Sequence, residues 1–309
     1  MSPLRIATRA SALAVAQSKL VAAAVERALG VRTELELVRT SGDRIQDAPL
    51  AALGGKGLFV KELEEALLAR RADLAVHSAK DLPALLAPGT ELAAFPERAD
   101  ARDALVAARR GARLADLAHG ARVGTGSLRR RAQLLAARPD LEIVPLRGNV
   151  DTRLRKLETE GLDAIVLACA GLERLGLAAR IDERIDPRDM LPAVGQGTLA
   201  LQTRAGEALA ADLAALDHAP TRAATLAERA FLERLAGDCN VPLAAEARLQ
   251  GEEIALAGLL ASPDGARVLR AEARAPRARP EAAGVRAAEE ILDAGGGEIL
   301  AALAAGTGG

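Results

Sequence analysis

Apolar and polar residues in the N-terminal part of the chain alternate with two periods, one typical of strands and one typical of helices. Residues 4–8 form a short apolar run that predicts a strand. Ser11 can cap a helix that runs to about Leu29, and Gly30 stands where such a helix ends. Residues 33–38 then alternate like a half-buried strand. The pattern predicts that the chain begins with an α/β unit.

The same pattern continues with a helix over 57–70 and a buried strand over 73–77, and a second set of elements follows. The second set consists of predicted strands over 121–125, 141–146 and 163–168, with helices over 127–137 and 149–160 between them. Strands that alternate with helices form parallel sheets, which bind ligands just beyond the carboxyl ends of their strands. We therefore expect a second α/β unit whose strand-to-helix turns face a ligand.

The pattern changes after about Pro220. A helix over 221–235, strand-like runs that include 253–259 and a final helix over 282–292 predict a small α+β unit. The length of 309 residues agrees with two or three domains. Half of the residues are hydrophobic, which is enough for several packed cores.

Composition argues against nucleic acids and membranes as partners. Only 1% of the residues are aromatic, whereas proteins that bind single strands stack bases on aromatic side chains. The net charge of −1 gives no general attraction to nucleic acid or to anionic lipid. Residues 1–5 do not have the pattern of a signal peptide, no long uncharged apolar run is present, and the two cysteines are expected to be free thiols. We expect a cytoplasmic protein.

A polar turn follows the predicted strand over 73–77. It places Ser78, Lys80 and Asp81 together, so that the carboxylate can act as a positioned acid or as the counter-ion of a developing cation. The alternative is an ordinary surface ion pair, which contributes little. His77 is expected to be a strand-end histidine and not a metal ligand, because no residues at metal-ligand spacing accompany it.

A glycine-rich turn precedes the predicted helix over 127–137. Thr125, Ser127, Arg129 and Arg130 lie on this turn or on the first turn of the helix, where free backbone N–H groups can bind a carboxylate or a phosphate. The alternative is a solvated basic turn. We favour an anion site, because positive charge at a helix N-terminus opposes the helix dipole and a nearby anion would relieve that conflict.

Two further turns repeat this arrangement. Arg147 and Arg153 flank the start of the next predicted helix, and Arg174 follows the strand over 163–168. Arginine pairs with carboxylates through two parallel hydrogen bonds, so arginines at adjacent strand ends indicate a substrate with several carboxylates. A loose surface cluster remains the alternative for each of them.

The two cysteines have different surroundings in the sequence. Cys239 lies in a loop with glycine, aspartate and asparagine, where a thiol can serve as a nucleophile or an attachment point. An incidental cysteine is the alternative. Cys169 follows an apolar strand and is expected to pack as a small hydrophobic residue.

Taken together, these motifs resemble one family, hydroxymethylbilane synthase, also called porphobilinogen deaminase. They occur in the order typical of that family and cover nearly the whole chain. The matching stretches are 5–11, 54–64, 77–83, 123–130, 146–153, 170–172 and 191–197, together with the Cys239 loop. The resemblance implies two periplasmic-binding-protein-like α/β domains with a cleft between them and a small α+β third domain. The implied domains are residues 1–97 with 198–216, residues 98–197, and residues 217–309.

The resemblance also implies a site. Its cofactor is a dipyrromethane held covalently by a thioether on Cys239, its catalytic aspartate is Asp81, and no metal is implied. The positions implied to bind the cofactor are Lys56, Ser78, Lys80, Thr125, Ser127, Arg129, Arg130 and Arg147. The positions implied to bind the substrate are Arg9, Ser11, Arg153, Arg174 and Gln196. The sequence differs from the usual family pattern at Ala52, Gly126, Asp238 and Asn240.

The implied reaction is a transferase reaction of porphyrin, tetrapyrrole and heme biosynthesis. Porphobilinogen loses ammonia, and its pyrroles are joined head to tail into the linear tetrapyrrole hydroxymethylbilane. The implied enzyme is a monomer whose partner is its small-molecule substrate. The alternative is a non-catalytic anion-binding protein with the same two-domain shape. Such a protein would need the arginine turns but neither Asp81 nor Cys239.

Overall fold

The first sheet of the protein is a five-stranded mixed sheet. The structure, a computed structural model, describes residues 2–40, 60–235 and 241–306. The strands of this sheet are β1 (Leu4–Arg9), β2 (Thr33–Val38), β3 (Leu74–Ser78), β4 (Thr90–Ala94) and β10 (Leu199–Arg204), in the spatial order β2-β1-β3-β10-β4. The strands β2, β1 and β3 are parallel, and β10 runs antiparallel to both of its neighbours.

Helices cover this sheet where the sequence predicts them. Helix α1 spans Ala12–Leu29, the Ser11 hydroxyl accepts a hydrogen bond from the N–H of Ala14, and Gly30 ends the helix in the left-handed conformation. Helix α2 spans Lys61–Leu68, within the described part of the helix predicted over 57–70. Strands β4 and β10 were not predicted from the pattern.

The second sheet repeats the architecture of the first. Its strands are β5 (Asp103–Ala107), β6 (Arg122–Gly124), β7 (Glu142–Val144), β8 (Ala164–Ala168) and β9 (Glu183–Arg184), in the order β7-β6-β8-β5-β9. Its helices are α3 (Leu128–Ala137), α4 (Val150–Thr159) and α5 (Cys169–Arg174). Here too one strand, β5, runs antiparallel to both neighbours. Strands β5 and β9 were not predicted.

The chain crosses between the two sheets twice. It leaves the first sheet after β4 and enters the second with β5, and it returns between β9 and β10. The short helix α6 (Ala208–Asp212) follows β10 and leads towards the third unit. The expected domain boundaries stay predictions, because nothing in the structure tests the exact division.

The third unit is a three-stranded antiparallel sheet with helices packed against it. Its strands are β11 (Leu243–Gln250), β12 (Glu253–Ala261) and β13 (Val268–Pro276), in that spatial order, and its helices are α7 (Ala219–Arg234), α8 (Glu281–Ile291) and α9 (Gly297–Gly306). The core is built mostly from alanine and leucine around the buried Phe231. A Cβ atom on Gly258 would lie 2.5 Å from that ring, so glycine lets the ring lie against β12.

The expected fold class is confirmed, with two α/β units and a smaller α+β unit. Each sheet has its own apolar core, and separate clusters of buried side chains lie on the two faces of the sheets. In the described ranges, no helix is both long enough and apolar enough to cross a membrane.

Candidate active site

The polar turn identified in the sequence lies directly at the end of β3. A short 3-10 turn, Ala79–Asp81, follows Ser78. The turn packs against residues 185–198, which lead from β9 back to β10 and are called the returning segment below. In this contact the Ala79 N–H donates to the carbonyl of Thr198 at 3.0 Å. A Cβ atom on Gly195 would lie 2.9 Å from the Cβ of Ala79, and Gly195 has a φ of +69°. Glycine therefore permits both the backbone turn and the close approach.

Asp81 carries a carboxylate that is open to solvent on one side and faces a guanidinium on the other. Its side chain is 35% exposed, and Oδ2 lies 3.9 Å from Nη1 of Arg9 at the end of β1. The neighbouring Ser78 is held inward, since its hydroxyl lies 3.0 Å from Nε2 of Gln17 on α1. This arrangement leaves the carboxylate of Asp81 accessible to a further cation.

The side chain of Lys80 is exposed, and its ammonium group lies within electrostatic range of charged groups from both units. Desolvation lowers its pKa to about 8, opposed by the charge of Asp81 and assisted by the charge of Arg130. Asp103 and Arg129 influence the same ammonium group. Because Lys80 belongs to the first unit and the other groups, apart from Asp81, belong to the second, the two units meet at this point.

His77 is buried in β3 and is neutral at pH 7. Its pKa is lowered to about 4, chiefly by burial and to a lesser extent by the positive charge of Arg9, against the opposing effect of a hydrogen bond with Gln202. In the described ranges, no three His, Cys, Asp or Glu side chains are grouped as metal ligands. His77 is the fourth of the five residues of β3, which agrees with its predicted position near the end of the strand.

Asp103 organises the second unit's side of the site and was not predicted from the sequence. It is the first residue of β5 and pairs with Ala168 across the antiparallel ladder, which places it at the carboxyl end of β8. Its fully buried carboxylate accepts from Nη1 of Arg129 at 2.6 Å and from Nη2 of Arg130 at 2.8 Å. The available signal was a carboxylate directly before the apolar run 104–107, although the neighbouring Asp100 and Arg102 are charged as well.

The buried cluster of Asp103, Arg129 and Arg130 supplies the anion that the helix N-terminus was expected to need. Burial by itself raises the pKa of Asp103, but the charges of Arg129 and Arg130 hold it well below its usual range. The solvated basic turn considered as an alternative is wrong, because each arginine is only 5% exposed. Two guanidinium charges face one protein carboxylate, so the cluster keeps an excess positive charge.

Three more predicted arginines lie at neighbouring turns. Arg147 makes no side-chain hydrogen bond or ion pair with any residue in 2–40, 60–235 or 241–306. Arg153 donates to the carbonyl of Gly148 at 2.7 Å, and its pKa is lowered to about 10 by burial and by the charges of Arg130 and Arg147, against the opposing charge of Asp81. The side chains that influence Arg153 therefore share one space.

The region in which these charges influence one another is called the cleft below. The residues that define it, by an ion pair or by electrostatic influence, are Arg9, Lys80 and Asp81 from the first unit and Arg130, Arg147 and Arg153 from the second. Arg174 lies on α5, where its Nη2 donates to the carbonyl of Gly197 at 2.6 Å and burial lowers its pKa to about 10. It is held by the returning segment, and no contact in the described structure joins its guanidinium to Asp81.

Gln196 connects the returning segment to the buried cluster. Its Nε2 donates to the carbonyl of Ala101 at 2.7 Å and to Oδ1 of Asp103 at 3.0 Å. Its Oε1 is buried and has no hydrogen-bond donor among the described residues. A buried acceptor without a donor costs free energy, so this atom is suited to a ligand that donates an N–H.

The predicted hydroxyl residues have local roles in the structure. Ser11 and Ser127 cap α1 and α3, and Thr125 Oγ1 accepts from the N–H of Ser127 at 3.2 Å. A Cβ atom on Gly126 would lie 2.6 Å from the carbonyl oxygen of Leu146, so this position has no room for a larger residue unless the turn shifts.

The two cysteines and Lys56 complete the set of predicted residues. Lys56 and Cys239 lie outside the described residues. Cys169 is fully buried in an apolar cluster at the start of α5, and burial raises the pKa of its thiol to about 12. The expectation that Cys169 packs as a small hydrophobic residue is confirmed.

Comparison with known protein families identifies two matching regions. Residues 4–212 match the family model described as "Porphobilinogen deaminase, dipyromethane cofactor binding domain". Residues 223–293 match the model described as "Porphobilinogen deaminase, C-terminal domain".

Relatives that carry the name porphobilinogen deaminase match almost the full length. The protein from Roseiflexus castenholzii is 53% identical over 300 residues, which cover 96% of this chain and 98% of the relative. The protein from Syntrophotalea carbinolica is 52% identical, covering 98% of this chain and 96% of the relative. The protein from Bordetella parapertussis is 53% identical, covering 97% and 96%.

Solved structures give more distant matches. The Bordetella pertussis BvgS periplasmic VFT2 domain, in its double-mutant form, matches with a TM-score of 0.41 and 18% identity over 69% of this chain and 85% of that one. A periplasmic substrate-binding protein of an ABC transporter from Coxiella burnetii matches with a TM-score of 0.43 and 16% identity over 69% of this chain and 91% of that one.

Proposed function

The chain belongs to the porphobilinogen deaminase family, and from that premise we propose how its own residues carry out the reaction. The enzyme is a transferase of tetrapyrrole biosynthesis with a dipyrromethane cofactor. It condenses porphobilinogen stepwise into the linear tetrapyrrole hydroxymethylbilane and releases ammonia. The family match favours this activity over the alternative of a non-catalytic anion-binding protein.

The residues of the site fit a dipyrromethane, which carries carboxylate side chains and pyrrole N–H groups. Arg147 and the excess positive charge of the buried cluster offer partners for carboxylates, and the unpaired Oε1 of Gln196 offers an acceptor for an N–H. The cofactor supplies the pyrrole carbon to which new rings are added. Lys80, Arg129, Arg130 and Arg147 would hold its carboxylates, assisted by Lys56, Ser78, Thr125 and Ser127.

The proposed attachment point of the cofactor is Cys239. The only other cysteine, Cys169, is buried with its thiol pKa raised to about 12, so it supplies almost no thiolate at neutral pH. A thioether requires an accessible sulfur, and the loop sequence around Cys239 is typical of an exposed segment.

Asp81 is the proposed catalytic residue. Loss of ammonia from porphobilinogen leaves positive charge on the pyrrole, and a carboxylate held at the edge of the cleft stabilises such a charge as it forms. The observation that carries this role is the accessible side chain of Asp81, positioned by the turn after β3 and by Arg9 at 3.9 Å. The same carboxylate can accept a hydrogen bond from the ammonium group of the substrate, so that the amine stays protonated and leaves as ammonia when the C–N bond breaks.

The cations around the cleft are proposed to orient the substrate. Arg9 and Arg153 border the same space as Asp81, and Arg174 and Gln196 lie on or against the returning segment. Guanidinium groups fix carboxylates in both distance and direction, which holds the reacting carbons of two pyrroles close together. Ser11, at the start of α1, is proposed to assist in binding the substrate.

The direct test is incubation of the purified protein with porphobilinogen. We expect release of ammonia in step with loss of porphobilinogen, formation of a linear tetrapyrrole, and an intact mass greater than that of the chain by one dipyrromethane. Binding of porphobilinogen without release of ammonia would support the anion-binding alternative instead.

We further infer that the enzyme works as a cytoplasmic monomer without nucleic acid. The support is the sparse aromatic composition, the net charge of −1 and the small-molecule substrate of the family. Sedimentation of the active protein at the mass of one chain is the expected result, and activity confined to a dimer would contradict it.

A further inference from the structure

The buried cluster of Asp103, Arg129 and Arg130 places a protein carboxylate where the proposed function puts ligand carboxylates. Oδ1 of Asp103 accepts from Nη2 of Arg129 at 3.2 Å, from Nε of Arg130 at 3.0 Å and from Nη2 of Arg130 at 2.8 Å. Oδ2 accepts from Nη1 of Arg129 at 2.6 Å. Asp103 is thus surrounded by the two side chains that the resemblance assigns to the cofactor.

The backbone of the second unit completes the restraint on both guanidinium groups. Nη1 of Arg129 also donates to the carbonyl of Leu191 at 2.8 Å, and Nη1 of Arg130 donates to the carbonyl of Val166 at 2.8 Å. Each guanidinium has five N–H donors, and three hydrogen bonds are found for each of these two. Donors therefore remain on side chains whose positions are already fixed.

Asp103 fixes a third residue of the same set. Gln196 donates to Oδ1 of Asp103 at 3.0 Å, which sets the direction of its amide and leaves Oε1 buried without a donor. One carboxylate thus determines the orientation of two arginines and one glutamine that come from separate parts of the chain.

The charge of the cluster points to what completes it. Two guanidinium groups share one carboxylate, and the Lys80 ammonium group lies within electrostatic range of all three. Buried excess positive charge is costly unless an anion pairs with it. A single ligand carboxylate would balance the excess charge of Asp103, Arg129 and Arg130. Without Asp103 the two arginines would repel each other and lose the hydrogen bonds to its carboxylate that help to set their directions.

We infer that Asp103 is a positioning residue for carboxylate binding: it holds Arg129, Arg130 and Gln196 in place so that a ligand carboxylate meets preoriented donors. The inference rests on the proposed assignment of these residues to cofactor and substrate. Asp103 itself is not part of that assignment. Its inferred role is to orient ligand-binding side chains, which differs from support of the fold alone.

The experiment uses the full-length chain produced without cofactor, in cells that cannot make porphobilinogen. Porphobilinogen is then added over a range of concentrations, and the gain of one dipyrromethane is followed by intact mass. The concentration for half-maximal rate and the plateau rate are measured separately for wild type, Asp103→Asn and Asp103→Glu.

Asp103→Glu keeps the charge and displaces the carboxylate by one methylene group, so it tests the position of the carboxylate independently of its charge. We expect it to fold with the loss of stability that an extra buried methylene group causes, and to need at least about tenfold more porphobilinogen for half-maximal assembly, with a smaller change in plateau rate. Asp103→Asn should show the same shift together with a lower melting temperature.

The matched control is Asp182→Asn. Asp182 is another buried carboxylate of the second unit, with 1% of its side chain exposed, and it accepts from Arg110 and from the N–H groups of Ala107 and Gly111. Its loss should lower stability without changing the concentration for half-maximal assembly.

Assembly by Asp103→Glu at the wild-type concentration would overturn the inference, and so would an equal shift in Asp182→Asn. If Asp103→Asn does not fold, Asp103→Glu decides the question alone. Wild-type protein that gains no mass would instead contradict the proposed function.

Discussion

The two α/β units share one strand order but place different chemistry at the same edge of the sheet. In each unit an antiparallel strand begins beside the carboxyl end of the central strand. Leu199 lies beside Ser78 in the first unit, and Asp103 lies beside Ala168 in the second. The same topological position thus holds an apolar residue in one unit and a buried acid in the other.

The difference extends to the turns after the central strands. In the first unit the turn after β3 presents Asp81 to solvent, with Nη1 of Arg9 3.9 Å from its Oδ2. In the second unit the turn after β8 buries Cys169, and the acid of that unit lies beneath Arg129 and Arg130. We interpret the first unit as the source of an accessible anion for the reaction and the second as a preoriented set of cations for carboxylates.

The largest expected effect on activity comes from replacing one of the two cysteines. Cys239→Ser should give a folded chain with no added dipyrromethane mass and negligible activity, because a serine oxygen does not replace a thiolate in thioether formation. Cys169→Ser should keep the added mass and lose about 1–3 kcal/mol of stability, because it buries a hydroxyl. Intact mass and urea unfolding measure both outcomes. A Cys239→Ser protein that still carries the dipyrromethane would show that Cys239 is not the attachment point of the cofactor.

Asp81→Asn tests the accessible anion of the first unit. Loss of the carboxylate should slow tetrapyrrole formation by about 10²–10⁴-fold, the usual range for a positioned acid–base group. The fold should be unaffected, because the Asp81 side chain is 35% exposed. Turnover of porphobilinogen and the melting temperature are measured together, and turnover near the wild-type rate would remove Asp81 from the mechanism.

The dependence of stability on pH tests a difference between the central strands β3 and β8. The fourth residue of β3 is His77, whereas the fourth residue of β8 is Leu167. His77 is neutral in the folded state down to a pKa of about 4, whereas in the unfolded chain it binds a proton below about pH 6.5. Unfolding therefore takes up a proton between these values, and the stability present above pH 6.5 is lost as the pH falls towards 4.

The expected loss from His77 is about 3 kcal/mol across that range. His77→Gln cannot titrate, so its free energy of unfolding should fall by that much less than the wild type between pH 7 and pH 4. Urea unfolding at a series of pH values measures the difference. Parallel pH profiles of the two proteins would mean that His77 is not buried in the neutral form.

Arg147→Ala and Arg129→Ala compare two guanidinium groups. The first has no side-chain partner within the described ranges, and the second is held by Asp103. Arg147 has no side-chain partner within the described ranges, so its loss should weaken carboxylate binding by about 1.5–3 kcal/mol and leave stability nearly unchanged. Arg129→Ala should impair cofactor loading and also destabilise the fold, because it removes a partner of the buried Asp103. Cofactor content, the KM for porphobilinogen and urea unfolding are the measurements. Unchanged kinetics and cofactor content in both variants would show that neither arginine contacts a ligand.

Much of the local structure was determined by the sequence, because its signals act over a few residues. Ser11, Ser127 and Asn149 cap the helices that they were expected to start, each by accepting from an N–H three residues further on. The strands over 33–38 and 253–259 followed from their apolar pattern, although β12 extends to Ala261. The turn with Asp81 could be placed for the same reason, as it directly follows a buried strand.

The tertiary structure alone decided how the charges are shared. Asp103 is 26 residues from Arg129 and 93 residues from Gln196, so no local pattern could show that one carboxylate holds both. The antiparallel strands β5 and β10 were missed for a related reason, since their neighbours come from distant parts of the chain. A helix cap is satisfied by neighbouring residues, whereas a buried acid is satisfied only by cations that the fold brings to it.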